Sequence, residues 1–282
     1  MTALTPRTHA AGRSRLVAYD HGAQLASWTV DGITRVWLSA HAVLDGSAAV
    51  RGGVPICFPW FGGGPDGGLR PSHGVVRTTT WRPVEPSGTE VWAWELSSED
   101  VADAPGAEHL PGPFLLRHSV ALDEADEALT LALRITNTGR EDYAVEAALH
   151  TYLGVEDVRD VQVLGLEEAP YLDEVTGRRE VQHGLLELMG ETDRVYDRTG
   201  PVVVADRAAL LHHELRPSGA TQTVVWNPWS DKAAAMTDLG DDEWLRFVCV
   251  ETAATGEHAL PVPAGDTVEI SCGLMQHPTP AT

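Results

Sequence analysis

Residues 129–136 read Leu129-Thr-Leu-Ala-Leu-Arg-Ile-Thr136, with a large apolar side chain at every second position. This period of two predicts a β-strand with one buried face, which the turn Asn137-Thr-Gly139 ends. The pattern recurs at residues 161–164, 202–204, 223–226 and 268–274. Helical periodicity is scarce, and 27 Gly and 18 Pro separate the short apolar runs. We therefore expect an all-β protein built from many antiparallel strands, as a sandwich or a barrel.

The rest of the chain adds little regular structure to this pattern. One short helix is predicted over residues 231–239, with Ser230 as its N-cap and Gly240 at its end. The acidic, proline-containing residues 99–113 are typical of a long exposed loop. Residues 1–14 are polar and are expected to form a flexible N-terminus. No linker or repeat divides residues 15–282, so a single domain is expected there.

The charge balance bears on the possible partners. The 282 residues include 20 basic and 41 acidic side chains, for a formal net charge of −21, and Lys232 is the only lysine. Nucleic acids and anionic membranes require clustered Lys and Arg, so neither is an expected partner. No apolar run approaches the roughly 20 residues of a membrane span, and the first residues do not resemble a secretion signal. We expect a cytoplasmic monomer.

The three cysteines and the two adjacent histidines, His212 and His213, are candidates for disulfide or metal sites. Cys57, Cys249 and Cys272 are odd in number and lie far apart in apolar segments, which favours buried thiols in a reducing compartment. His212 and His213 are adjacent on a predicted strand. Their side chains therefore point to opposite faces and cannot chelate one ion. No metal site is predicted.

The densest unusual segment is residues 51–61, Arg-Gly-Gly-Val-Pro-Ile-Cys-Phe-Pro-Trp-Phe, which precedes a glycine-rich turn. Its aromatic side chains beside two prolines indicate a rigid apolar wall of the kind that stacks on sugar rings. Arg51 and Arg77 flank this region. If they converge on one pocket, they can bind a phosphate or carboxylate, and if they do not, they are separate surface residues. The spacing alone leaves both interpretations open.

Two further segments carry groups that can transfer protons. Counting by two along residues 146–152 puts Glu146, His150 and Tyr152 on one face of a strand. The residues alone leave His150 either a hydrogen-bonded structural histidine or a catalyst. Glu251 ends an apolar strand beside Cys249, where a partly dry carboxylate has a raised pKa and suits a general base. The alternative is a strand-end carboxylate in water.

Six ordered segments together resemble the D-hexose-6-phosphate mutarotases, also called glucose-6-phosphate 1-epimerases, of the aldose 1-epimerase-like superfamily. They fall within residues 45–255 and occur in the family's order, which makes the set far more specific than any one motif. The segments are Arg51-Gly-Gly-Val-Pro-Ile-Cys-Phe-Pro-Trp-Phe61, Ser72-His-Gly-Val-Val-Arg77, Leu149-His-Thr-Tyr152, Glu191-Thr-Asp-Arg-Val-Tyr196, Val225-Trp-Asn-Pro-Trp229, and Gly240-Asp-Asp-Glu-Trp244 with Val248-Cys-Val-Glu251.

The resemblance implies a large antiparallel β-sandwich of the galactose mutarotase-like type, a supersandwich, with a shallow carbohydrate cleft. It implies that His150 is the general acid and Glu251 the general base, and that His73 is a second imidazole near the ring oxygen. The implied reaction interconverts the α and β anomers of a hexose 6-phosphate, glucose 6-phosphate in the first place.

The resemblance also implies a set of substrate-binding residues. Arg51 and Arg77 would hold the phosphate, and Asp193 would hydrogen-bond sugar hydroxyls. Ser72 stands where the family often has Gln or Ala, and it is taken as a further candidate contact.

The chemistry explains these residue types. Changing the anomer requires removing the proton of the anomeric hydroxyl and protonating the ring oxygen, followed by rotation and closure on the other face. A Glu251 carboxylate with a raised pKa beside a His150 imidazole of unperturbed pKa, about 6.5, meets that requirement near neutrality. No metal, nucleotide or redox cofactor is needed. Two alternatives remain open: an aldose 1-epimerase acting on unphosphorylated sugars, and a carbohydrate-binding sandwich without catalysis.

Overall fold

The structure is a computed structural model that describes residues 3–125 and 127–278. These residues form 23 strands, one α-helix and six 3₁₀ helices. The strands are β1 (Arg7–Ala11), β2 (Ser14–Tyr19), β3 (Gln24–Val30), β4 (Ile33–Val36), β5 (Ile56–Cys57), β6 (Arg82–Val84), β7 (Glu90–Ser97), β8 (Phe114–Asp123), β9 (Ala128–Asn137), β10 (Tyr143–Val145), β11 (Ala147–Leu149), β12 (Tyr152–Gly154), β13 (Val161–Leu164), β14 (Pro170–Asp173), β15 (Arg178–Val181), β16 (Leu186–Glu187), β17 (Thr192–Tyr196), β18 (Val202–Asp206), β19 (Leu211–Ser218), β20 (Gln222–Asn227), β21 (Phe247–Ala254), β22 (Leu260–Val262) and β23 (Thr267–Pro278). The helix is α1 (Trp229–Ala234), and the 3₁₀ helices are Val76–Thr78, Ser98–Val101, Ala107–His109, Val158–Asp160, Glu243–Arg246 and Gly256–His258.

Two large sheets dominate the architecture. A 12-stranded sheet runs in the order β1-β2-β3-β4-β12-β21-β20-β17-β14-β15, with β11 and β5 attached beside β21. A nine-stranded sheet runs in the order β16-β13-β18-β19-β23-β9-β8-β7-β6, and β10 pairs with β22 in a small third sheet. Neighbouring strands within the sheets are antiparallel, and apolar side chains from both large sheets share one core. The predicted all-β antiparallel sandwich is therefore confirmed.

The strands form where the apolar alternation predicts them. In β9, the side chains of Leu129, Leu131, Leu133 and Ile135 are all 0% exposed, while those of the exposed face include Thr130. The other four alternating segments fall within β13, β18, β20 and β23. A period of two therefore suffices to place one face of each strand against the core.

The two central strands of the 12-stranded sheet differ from this pattern, because β20 and β21 are buried along their whole length. One face of β21 carries Val250 into the apolar core, and the opposite face carries Glu251. Loops cover that second face, so polar groups on it are removed from bulk water without entering the core. This position suits a protected site on the outer face of the sheet.

The N-terminus is more ordered than its polar composition predicts. Residues 7–11 form the edge strand β1, which pairs with β2 along its whole length. The prediction of a flexible N-terminus is therefore wrong for these residues. An edge strand has no need of a fully apolar face, and Arg7 secures this one by pairing with Asp20. Residues 1 and 2 lie outside the described part of the chain.

The predicted helix is shorter and begins earlier than expected. It spans Trp229–Ala234, and the Asn227 side-chain oxygen accepts a hydrogen bond of 2.9 Å from the Trp229 N–H. Ser230 therefore lies inside the helix and is not its cap. After Ala234 the chain continues in turns, because alanine-rich composition alone does not sustain so short a helix.

The predicted exposed loop over residues 99–113 is also corrected. Ser97 and Asp100 form a capping box that starts the 3₁₀ helix Ser98–Val101, and a second 3₁₀ helix follows at Ala107–His109. Val101 is 1% exposed and belongs to the core. One buried apolar side chain anchors a segment whose composition is otherwise that of a loop.

Cys57, Cys249 and Cys272 are free, buried thiols, as predicted. His212 and His213 are consecutive in β19, with His212 partly exposed and His213 buried, in keeping with opposite faces. Within the described residues, no group of three or more His, Cys, Asp and Glu side chains is arranged to hold a metal ion. None of the helices in this part of the chain is long and apolar enough to cross a membrane.

Replacing Leu131 with Ala should lower the free energy of unfolding by about 2–5 kcal/mol, because it leaves a cavity among fully buried side chains. The neighbouring Thr130→Ala change on the exposed face of β9 should stay within about 0.5 kcal/mol of the parent protein. Denaturant unfolding measures both. Equal losses for the two variants would contradict the assignment of the faces.

Candidate active site

A cavity of about 610 Å³ opens on the outer face of the 12-stranded sheet. Its lining includes all seven residues that the sequence singles out as catalytic or substrate-binding. They are Arg51, Ser72, His73, Arg77, His150, Asp193 and Glu251. Residues that lie up to 200 positions apart in the chain therefore meet at one place.

Strand register brings the proposed acid and base together. β11 and β12 pair with β21 in the same register on both sides of a two-residue gap, which puts His150 opposite Glu251. Directly opposite residues in an antiparallel pair project to the same face. The Nε2 atom of His150 lies 3.3 Å from Oε1 of Glu251.

At the gap between β11 and β12, the loop before β5 accepts backbone hydrogen bonds from the strand residues. The His150 N–H donates to the Pro55 carbonyl, and the Tyr152 N–H donates to the Gly53 carbonyl, each at 3.0 Å. The segment that begins at Arg51 is thereby fastened to the strand that carries His150. This contact sets the position of the aromatic, proline-rich segment relative to the acid–base pair.

Burial dominates the electrostatics of this pair. His150 is 6% exposed, and burial lowers its pKa well below the ordinary value, with a further decrease from electrostatic interactions with His73, Arg77 and Arg51. Glu251 is 2% exposed, and burial together with the Asp193 carboxylate raises its pKa well above the ordinary value. The raised pKa of Glu251 was predicted. The unperturbed imidazole was not correct, because the sequence did not show how deeply His150 lies.

Three polar atoms in the cavity are buried and have no hydrogen-bond partner in the described protein. They are His150 Nδ1, Glu251 Oε2 and Arg77 Nε. Leaving such a group unpaired costs about 1–3 kcal/mol, so folded proteins satisfy most of them. Their concentration at one cavity indicates a site built to receive polar groups of a ligand.

The two arginines line the same cavity but differ in their surroundings. Arg51 donates from Nη1 to the Tyr152 hydroxyl at 2.9 Å and from Nε to Asp238 Oδ2 at 3.2 Å. Burial opposes the charge of Arg51, but these two partners outweigh it and raise its pKa. Arg77, from the 3₁₀ helix Val76–Thr78, has no ion-pair partner in residues 3–125 and 127–278, and burial lowers its pKa. Both arginines therefore line one cavity, which is the arrangement that binding of a single anion requires.

His73 and Asp193 complete the polar lining. The ring centroids of His73 and His150 are 5.6 Å apart, and burial, followed by the charges of Arg77 and Arg51, lowers the pKa of His73 to about 3. Asp193 stands on β17, and burial raises its pKa to about 6 even though the Lys232 ammonium acts in the opposite direction.

Ser72 lines the cavity next to His73. Glu146, predicted on the same face as His150, does not line it. Its carboxylate instead accepts hydrogen bonds from the backbone N–H groups of Phe61 at 2.7 Å and Gly256 at 2.6 Å. Counting by two fails here because Glu146 lies between β10 and β11, outside either strand.

Besides Phe61 of the aromatic segment and four glycines of the turn that follows it, four lining residues were not identified as site residues from the sequence. They are Glu174, Trp226, Lys232 and Met236. The ring of Trp226 meets the ring of His150 edge to face, with centroids 5.9 Å apart, and Lys232 Nζ lies 2.7 Å from Glu191 Oε1. The motif at residues 225–229 and the single lysine of the chain were the available signals. Neither shows by itself which side chains face the cavity.

A β-sandwich whose outer cavity combines a buried imidazole–carboxylate pair with two arginines defines a protein of the galactose mutarotase-like class. The structure is similar to the crystal structure of a "putative mutarotase" from Salmonella typhimurium, with a TM-score of 0.85 and 25% identity over 98% of this chain and 94% of that one. A galactose mutarotase related enzyme from Lactobacillus acidophilus has the same fold, with a TM-score of 0.74 and 14% identity over 98% of each chain.

The chain belongs to the aldose 1-epimerase family, whose model matches residues 7–273. A relative from Cenchrus ciliaris named "putative glucose-6-phosphate 1-epimerase" is 35% identical over 254 residues, 84% of this chain and 74% of the relative. A relative of the same name from Salmonella typhimurium is 32% identical over 244 residues, 82% of this chain and 76% of the relative. The resemblance drawn from the six sequence segments is confirmed.

The Gly74→Ala change should destabilise the protein at the base of the site. Gly74 has a φ of +81°, and a Cβ there would lie 1.8 Å from the Phe58 carbonyl oxygen. Gly88 has a φ of +62° but open space around its Cβ position, so Gly88→Ala is a control for backbone strain alone. We expect Gly74→Ala to lose about 1–3 kcal/mol more than the control in denaturant unfolding, the usual range for overpacking. Indistinguishable losses would show that the close approach carries no cost.

Proposed function

We propose that this protein interconverts the α and β anomers of a hexose 6-phosphate, with glucose 6-phosphate as the first substrate to test. One observation supports this most strongly: Arg51 and Arg77 line the cavity that contains the His150–Glu251 pair. A single sugar phosphate can therefore contact the arginines with its phosphate and the pair with its anomeric centre. The names of the relatives at 35% and 32% identity agree with this substrate.

In the proposed reaction, Glu251 removes the proton from the anomeric hydroxyl while His150 protonates the ring oxygen. The bond between the anomeric carbon and the ring oxygen breaks, and the anomeric carbon becomes an aldehyde. Rotation about the adjacent carbon–carbon bond exposes the other face. The freed hydroxyl then attacks that face, His150 takes its proton back, and Glu251 returns a proton to the anomeric oxygen. Every proton is recovered, so one pair of residues serves both directions.

The number of protons held by His150 and Glu251 agrees with this reaction cycle. Ring opening leaves Glu251 protonated and His150 neutral, which are the forms that burial favours in the empty cavity. The starting state, a carboxylate beside an imidazolium, holds the same number of protons. The substrate phosphate favours that starting state, because it offsets the charges of Arg51 and Arg77 that depress the pKa of His150.

The remaining lining supplies sugar contacts. Phe61 and Trp226 offer flat apolar surfaces, and Asp193 offers a carboxylate to sugar hydroxyls. Arg77 favours this assignment over that of an epimerase for unphosphorylated sugars, because a partly buried guanidinium with no salt bridge to the described residues favours an anionic ligand. A carbohydrate-binding protein without activity would have no use for a buried acid–base pair with unsatisfied atoms.

We further propose that strands β1 to β23 belong to one domain, which acts as a monomer in the cytoplasm, with a small molecule as the partner of the site. The shared core of both sheets supports one domain. The exposed edge strand β15, Arg-Arg-Glu-Val, carries charges of the kind that oppose edge-to-edge association. Three free thiols suit a reducing compartment, and the net charge of −21 disfavours nucleic acids and anionic membranes.

The Glu251→Gln variant should lose at least about 10²-fold in catalysed anomerisation, because the amide retains the shape of the side chain but cannot accept the proton. Polarimetry on freshly dissolved α-glucose 6-phosphate, corrected for the spontaneous reaction, measures the rate. Circular dichroism and the melting temperature verify that the variant folds. A folded variant that keeps more than about a tenth of the parent rate would remove Glu251 from the role of general base.

The Arg77→Ala variant should weaken the reaction of glucose 6-phosphate by about one to two orders of magnitude, because it removes a charge-assisted contact. The slow reaction of free glucose should be nearly unchanged, since glucose makes no such contact. Arg77→Lys should recover part of the loss, because an ammonium keeps the charge without the two-pronged geometry. Arg246→Ala, which removes an exposed guanidinium paired with Glu156, is the control. Parallel losses on both sugars would indicate that Arg77 supports the loop and does not bind phosphate.

A further inference from the structure

We propose that the Gly62 backbone N–H and the Cys57 thiol hold His73 as its neutral Nε2–H tautomer. His73 is then a fixed hydrogen-bond donor in the cavity and exchanges no proton, and Cys57 is a positioning residue that acts through it. The tautomer follows from the contacts within the protein. Only its use on a sugar rests on the function proposed above.

The contacts of His73 determine which nitrogen carries the proton. Nδ1 of His73 lies 3.2 Å from the backbone nitrogen of Gly62 and 3.4 Å from Sγ of Cys57. A backbone N–H can only donate, so Nδ1 must be the acceptor and cannot itself carry a proton. A neutral imidazole whose Nδ1 accepts has its hydrogen on Nε2.

The Cys57 side chain is suited to share in this contact. Cys57 is completely buried in β5, where pairing with Ala148 of β11 sets the direction of its thiol. Burial raises the pKa of Cys57, so the sulfur keeps its hydrogen and is a donor. The thiol therefore donates a hydrogen bond to Nδ1 from the side of the sheet, and the Gly62 N–H donates to the same atom from the glycine-rich turn.

The backbone of His73 is held as firmly as its ring. His73 has a φ of +65°, in the left-handed region that non-glycine residues rarely occupy. Its N–H donates to the Gly62 carbonyl at 2.7 Å, and its own carbonyl accepts from the Phe58 N–H at 3.3 Å. Strained residues persist where the surroundings over-determine them, and such places are commonly functional sites. The fold thus directs this ring to one position.

The charged neighbours act in the same direction as the hydrogen bonds. Arg77 and Arg51 both disfavour a positive charge on His73, and the His150 ring, 5.6 Å away between centroids, does so when it is protonated. A proton on Nδ1 would also point at the Gly62 N–H. In the proposed reaction the two imidazoles of the cavity therefore have different roles: His150 exchanges a proton with the ring oxygen of the sugar, and His73 offers one N–H.

Within the described residues, Nε2 of His73 makes no hydrogen bond, although the residue lines the cavity. Its N–H is therefore free for a ligand oxygen. A hydrogen bond received at Nδ1 polarises the ring and strengthens the donor at Nε2. Loss of the thiol should weaken that donor without changing the charge of the site.

The test is ¹⁵N NMR of the imidazole nitrogens in the full chain, labelled at histidine, with the His73→Gln spectrum identifying the signals of His73. The parent protein should show an unprotonated Nδ1 and a protonated Nε2 that stay constant between about pH 5 and pH 9, because no proton is exchanged there. A protonated Nδ1, or a titration of His73 within that range, would overturn the proposal.

Three cysteine variants separate the positioning role from packing. Cys57→Ala should shift the Nδ1 signal and reduce kcat on glucose 6-phosphate by about two- to tenfold, with KM changing less. Cys57→Ser, which keeps a donor, should restore most of both. Cys272→Ala removes an equally buried thiol in β23 of the other large sheet and should change neither.

If the Nδ1 signal of His73 is unshifted in Cys57→Ala, the thiol makes no hydrogen bond to Nδ1. The positioning role of Cys57 is then overturned. If Cys57→Ala does not fold, the parent spectrum and the serine variant decide the question. The expected spectrum in a protein without anomerase activity would contradict the proposed function and leave the tautomer assignment standing. An active protein with the other tautomer would do the reverse.

Discussion

The antiparallel pairing of β21 with β11 and β12 is the constraint on which the site depends. One continuous register across the gap places His150 opposite Glu251, and strand geometry then sends both side chains to the same face. A shift of one residue would turn one of the two toward the core. The loop that carries Arg51 is hydrogen-bonded to the backbone at the same gap, so its position is fixed relative to His150.

Burial of the central strands β20 and β21 determines the protonation chemistry of the site. Both faces of β20 and β21 are covered, so the groups that meet there are almost free of bulk water. Desolvation disfavours the charged form of each group, which moves the pKa of His150 down and that of Glu251 up. A ligand that brings two negative charges to the arginines changes that balance at the moment of binding. In the proposed reaction, the neutral pair and the charged pair hold the same number of protons, as a reversible anomerisation requires.

Long-range charge has little influence compared with these local contacts. The net charge of −21 repels a phosphosugar at a distance, but salt screens it over a Debye length of about 8 Å. Inside the cavity, Arg51, Arg77 and Lys232 stand close to the position a ligand would occupy. The acidic surface and the three basic side chains of the cavity are compatible, because the surface charge acts through water and the basic groups act through contact.

The sequence by itself determined the class of fold and the identity of most site residues. The alternation in β9 and four other strands is a local property of the chain, and burial of one face follows directly from it. The resemblance carried by the ordered motifs includes all seven of these cavity residues. The same local reasoning failed where contacts with other segments determine the structure. Residues 7–11 form β1 because they pair with the edge of β2, and α1 begins where the Asn227 side chain accepts a hydrogen bond from the Trp229 N–H.

Only the tertiary structure decided the depth and the partners of each group. It placed His150 in a desolvated position, gave Glu146 a bracing role outside the cavity, and brought Trp226 and Lys232 into the lining. Depth and contact depend on strand register and on loops that fold over the sheet, which are relations between distant segments. Period and composition describe each segment alone, and for that physical reason they cannot predict the depth of His150, the tautomer of His73 or the cavity that distant segments share.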